Sequence, residues 1–160
     1  MIMAALVVFV LQVTLVHEVP VWGATPDLML VLLVVLVIDR RPVTAVIIGF
    51  LLGFLQDLGN ASFLGMNALA KSVIAYGISR FASGYLPEST LFKGLLIFIA
   101  ALVSHIIVLN ITASFHPGVV LVNFFRFSVL SAIYTSLTGI LVLAVLKLVP
   151  GRRARPVGRY

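Results

Sequence analysis

Asp57, Asn67, Lys71 and Arg126 are polar side chains of a very apolar sequence that fall toward the same, outer side of its expected helices. Polar groups in lipid-like surroundings are costly, so each needs a partner or a task. Asn67 and Lys71 are four residues apart and share one helix face, with Ala75 one turn further on. Asp57 closes the preceding apolar run. One acid with two bases at similar depth predicts an ion-paired cluster in which Asp57 meets Lys71 or Arg126. Such a cluster could serve as a structural staple between helices or as a polar pocket for a ligand or partner segment. Lys71 is also long enough to snorkel to an interface.

Other chemistry is poorly supplied. The histidines His17, His105 and His116 form neither an H-x₃-H nor an HExxH pattern, and the chain has no cysteine. No metal site, thiol chemistry or disulfide framework is therefore expected. His105, beside Ser104, is expected to be hydrogen-bonded within a helix bundle. Ser62, Ser104, Ser114, Ser128 and Ser131 lie near no nucleophile elbow or triad motif. Glu18 and Asp27 could in principle form an acid–base pair, but Asp27 has a simpler use at a helix start. The residues predict neither an enzyme nor a cofactor.

Small residues suggest helix packing instead. Gly49-Phe50-Leu51-Leu52-Gly53 is a GxxxG pattern, which lets another backbone approach closely. Either a helix of this chain or the single transmembrane helix of a partner could fill that face. Ser128, Ser131, Thr135, Thr138 and Gly139 form a second stripe at helical spacing, with Tyr134 beside it. That stripe is expected to face protein.

These groups must be positioned by very apolar elements. The chain has 160 residues, 62% hydrophobic and 10% charged, with mean hydropathy +1.23. Globular domains carry about 25% charged residues, so this composition predicts an integral membrane protein. The first apolar run, Met1–Val16, has no basic leader or Ala-x-Ala site and reads as a retained helix. Thr25-Pro26-Asp27 reads as the start of a second helix, with Thr25 as N-cap, Pro26 in the first turn and Asp39 near the end. Further helices are expected over Pro42–Leu58, Met66–Phe81, Ser89–Thr112 and Val122–Val149, separated by glycine and proline breakers. The resulting expectation is an all-α polytopic protein with six transmembrane helices in one domain, 1–150, and a basic tail, 151–160. The second helix would be only ~21 Å long against a hydrocarbon core of ~30 Å, which calls for interfacial loops or a thinned bilayer.

The net charge of +6 does not point to nucleic acid, because position matters more than sum in a membrane protein. With a cytoplasmic N-terminus, Arg40, Arg41, Arg80, Lys93, Lys147, Arg152, Arg153, Arg155 and Arg159 all fall inside, nine of the eleven basic residues. This predicts a multi-pass protein of the cytoplasmic membrane with both termini inside. The tail arginines Arg152, Arg153, Arg155 and Arg159 serve as topology determinants, or contact anionic lipid or a cytoplasmic protein.

Three blocks in order carry a family resemblance: Pro26-Asp27-Leu28; Gly49-Phe50-Leu51-Leu52-Gly53-Phe54-Leu55-Gln56-Asp57; and Leu64-Gly65-Met66-Asn67-Ala68-Leu69. The chain resembles the bacterial rod shape-determining MreD family, with Gln56 a polar departure from its pattern. The resemblance implies a non-enzymatic scaffold of the cell-elongation complex. It implies MreC as partner and, through it, MreB, RodA and a class B penicillin-binding protein in lateral peptidoglycan synthesis. It also implies a fold similar to the S-components of energy-coupling-factor transporters. A vitamin-binding S-component is the rival reading, although helix 1 has Ala4-Ala5 and no A-x-x-x-A face, and the sole Trp22 lies in a loop.

Overall fold

The computed structural model describes residues 2–14, 25–59, 64–82, 89–112, 124 and 128–148. Among these residues the chain is all-α, with six α-helices. They are α1 (Ile2–Thr14), α2 (Leu28–Val37), α3 (Pro42–Leu58), α4 (Met66–Gly77), α5 (Thr90–Thr112) and α6 (Val129–Leu148). A π-helical turn, Ile78–Ala82, continues α4.

The breakers act as their chemistry requires. Pro42 opens α3 where its missing N–H has no intrahelical partner. Gly59 ends α3, its amide directed at the Asp57 and Gln56 carbonyls. At α2 the expected start moves by two residues. Asp27, in extended conformation, is the N-cap, and its carboxylate accepts from the Leu30 amide. Thr25 and Pro26 precede the helix, because the nearest side chain able to satisfy a free first-turn amide sets the boundary.

α2 is the hub. Its residues are apolar on every side, and it touches all five other helices. Met29, Leu30, Leu33 and Val37 are fully buried, packed within one core with Ala45, Ile97, Ala101 and Ala132. The α3–α4 pair has the most extensive contact, and α5 pairs with α6. Ser79 Oγ donates to the Arg40 carbonyl, tying the π-helical turn to the reversal between α2 and α3.

The expectation of six transmembrane helices is corrected here. Among the described residues, one helix is long and apolar enough to cross a membrane: Thr90–Thr112, of 23 residues. The apolar stretches Ala5–Thr14, Leu28–Val37, Pro42–Leu58 and Val129–Val145 are shorter. A ten-residue helix such as α2 rises about 15 Å, half of a hydrocarbon core. The expected multi-pass localisation, with both termini cytoplasmic, rested on those spans and falls with them. The apolar runs are real, but hydropathy measures how greasy a run is, whereas spanning also requires unbroken helical length. α5 meets both conditions and leaves Leu91, Leu95, Ile99 and Ile106 exposed.

Candidate functional site

The polar residues that the sequence singles out fall into two separate nodes. The first gathers on the segment Thr25–Leu28. Lys71, fully buried on α4, extends Nζ to within 2.8 Å of Asp27 Oδ2. The other carboxylate oxygen, Oδ1, accepts from the Leu30 amide at 2.8 Å. The Asp27 backbone N–H donates to Thr135 Oγ1 on α6 at 3.1 Å, and that hydroxyl donates to the Ser131 carbonyl. Ser131 Oγ donates to the Thr25 carbonyl at 2.8 Å. From α1, Gln12 Nε2 donates to the Pro26 carbonyl while its Oε1 accepts from the Leu28 amide. Four residues are thus held by side chains from α1, α4 and α6.

Burial opposes ionisation of Asp27. The Lys71 charge and hydrogen bond, the Leu30 amide and a weaker attraction from His105 outweigh it, holding the carboxyl below its ordinary value of 3.8. His105 Nδ1 lies 2.9 Å from the Ala101 carbonyl one turn earlier on α5.

The second node is built on Asp57, which is 1% exposed at the end of α3. Its Oδ2 accepts from the Gly65 and Ala68 amides at 3.0 and 3.1 Å. Its Oδ1 accepts from the Asn67 amide at 3.1 Å and from Asn67 Nδ2 at 2.9 Å. The N-cap of α4 is Gly65, whose φ of 93° suits glycine and which has no side chain to cap with. Asp57 supplies the missing cap from the neighbouring helix, an anion at the positive end of α4.

The expected cluster of Asp57, Asn67, Lys71 and Arg126 is therefore divided. Asp57 and Asn67 meet. Lys71 lies one turn beyond Asn67 but pairs with Asp27. Arg126 and the tail residues Arg152, Arg153, Arg155 and Arg159 lie outside the described residues. Sequence reasoning gave Asp27 a helix-dipole role, or in principle an acid–base pairing with Glu18, which lies outside the described residues; nothing local marks its partner Lys71, 44 residues away. Gln12 was missed altogether; a lone amide in the apolar first run was its signal.

The Gly49/Gly53 face is filled from within the chain. A Cβ on Gly49 would stand 2.5 Å from the Lys71 carbonyl oxygen and 2.9 Å from Ala75 Cβ. One on Gly53 would collide with the Asn67 carbonyl oxygen and the Ala68 backbone. These glycines let α4 approach, which brings Lys71 to Asp27 and Asn67 to Asp57, and leave that face no room for a partner helix. The Ser128, Ser131 and Thr135 stripe is likewise buried.

Among the described residues no group of three or more His, Asp or Glu could hold a metal ion. Fold and nodes together describe a helical bundle whose buried charges tie helices to one another. The chain belongs to the rod shape-determining protein MreD family, whose model matches residues 1–150. No curated protein and no solved structure matches the chain, so the implied likeness to transporter S-components gains no structural counterpart. Family membership gives it a role in the biology of cell shape and the elongation complex, and that role is non-enzymatic.

Proposed function

We propose that this protein is a scaffold of the cell-elongation complex that binds MreC. Through MreC it would be linked to MreB, RodA and a class B penicillin-binding protein, and so help direct lateral peptidoglycan synthesis. The observation that supports this reading most is the family match across residues 1–150. The use of the buried polar groups agrees with it: Asp27, Lys71, Asp57 and Thr135 are engaged in holding helices together. A protein of this kind acts by presenting a fixed surface. That surface is not the Gly49/Gly53 face, which α4 covers.

The test is co-expression with affinity-tagged MreC and purification in mild detergent. Stoichiometric recovery of the untagged chain is expected, together with loss of rod shape when the chain is depleted. A folded chain that never accompanies MreC would refute the reading.

A further inference from the structure

α4, its π-helical continuation and α5 enclose an open groove of about 450 Å³. Its walls are apolar and include Val73, Gly77, Phe81, Phe92, Leu96 and Val103. Lys71 of α4 and His105 of α5 both act on Asp27, so the Val73 and Val103 ends of the two walls lie together and Phe81 and Phe92 lie toward the other end. Along α5 the groove extends over about 16 Å, from Phe92 to Val103.

Three features set it apart from an ordinary packing defect. Gly77 faces open space, where an added Cβ would meet nothing within 4 Å. The helix immediately after it widens into the π-helical turn, a form that recurs at functional positions. And the Phe81/Phe92 end is basic. Exposed Arg80 precedes Phe81, and half-buried Lys93 follows Phe92. Arg40 is brought to the same end by the Ser79 hydrogen bond, with Arg41 on one side of it and the acid Asp39 on the other, so the described charges there still sum to a positive excess. Among the described residues the one ion pair is Lys71–Asp27, so neither Arg80 nor Lys93 is neutralised by an acid there. The other wall, α5, is the helix long enough to cross a bilayer.

An apolar slot with a cationic mouth, carried on a potential membrane span, fits a molecule with an acyl chain and an anionic head. We infer that the α4–α5 groove binds an anionic phospholipid. One acyl chain lies along Gly77, Leu96 and Val103, and the phosphate sits at Arg80 and Lys93. The site is independent of the MreC reading and of the two polar nodes.

Native mass spectrometry of the full chain in detergent tests it, with phosphatidylglycerol and phosphatidylcholine of the same acyl composition as probes. Phosphatidylglycerol is expected to bind more tightly. Arg80→Gln and Lys93→Gln should each weaken it about fivefold and together about 25-fold, leaving phosphatidylcholine unchanged. Gly77→Leu, which has space for its side chain, should fill the slot and weaken both lipids. Equal binding of the two lipids by the unaltered chain would overturn the inference. So would an unchanged phosphatidylglycerol preference in Arg80→Gln/Lys93→Gln, or its loss on neutralising only the four tail arginines. If Gly77→Leu does not accumulate, the two charge variants, both at solvent-accessible positions, still decide the matter. If Gly77→Leu releases a protein partner while lipid binding stays intact, the groove is a protein site and the inference fails.

Discussion

Removing one partner of the Lys71–Asp27 pair should cost far more than removing both. Asp27→Asn keeps an acceptor for the Leu30 amide, because asparagine caps helices as well as aspartate, so the change isolates the charge. It leaves the Lys71 ammonium at 0% exposure with no counter-ion. Breaking a buried pair this way costs about 3–5 kcal/mol. Lys71→Met should cost less, about 2–3 kcal/mol, because the abandoned carboxylate is 16% exposed and keeps its Leu30 hydrogen bond. The double variant removes both charges and fills the space with a flexible apolar chain, so it should lie within about 1–2 kcal/mol of the unaltered protein. The coupling between the two sites is then about 3 kcal/mol or more. Thermal unfolding followed by far-ultraviolet circular dichroism in one detergent reads this directly, Asp27→Asn falling by roughly 6–20 °C. Strict additivity in the double variant would refute the argument, as would a loss below about 1 kcal/mol for Asp27→Asn.

The pH dependence follows from the same pair. The folded carboxyl of Asp27 titrates below its ordinary value of 3.8, so the unfolded chain takes up the proton first. This contribution is complete above that value and is lost as pH falls through the lower folded value. Acid unfolding of the unaltered protein below about pH 4 should thus be steeper than that of Lys71→Met, measured by the same dichroism signal. Asp57→Ala strands four donors at the start of α4 and should cost about 3 kcal/mol, with Asp57→Asn milder; amide hydrogen exchange should report the loss first at Asn67 and Ala68. Gly53→Ala forces the α3 and α4 backbones apart and should destabilise by about 1–3 kcal/mol, whereas Gly77→Ala, facing open space, should be nearly neutral in the same melts. Equal effects of those two glycine changes would contradict the packing described.

Much of the helical order is legible in the residues themselves. Proline and glycine act within a few positions of where they stand, so α3 runs Pro42–Leu58, where local chemistry places its bounds. The burial of the Ser128/Ser131/Thr135 stripe is also readable, because helical spacing alone puts those residues on one face. Partner choice is not local. Asp57 and Asp27 are both acids beside apolar helices, and only the tight α3–α4 approach through Gly49 and Gly53 decides which of them meets Lys71. Asp57 turns instead to the Gly65, Asn67 and Ala68 amides, because the start of α4 lies against the end of α3. Membrane crossing is likewise a property of finished helices. Composition makes the runs apolar, but caps and turns set where each helix is interrupted, and among the described residues α5 is the one helix both long and apolar enough.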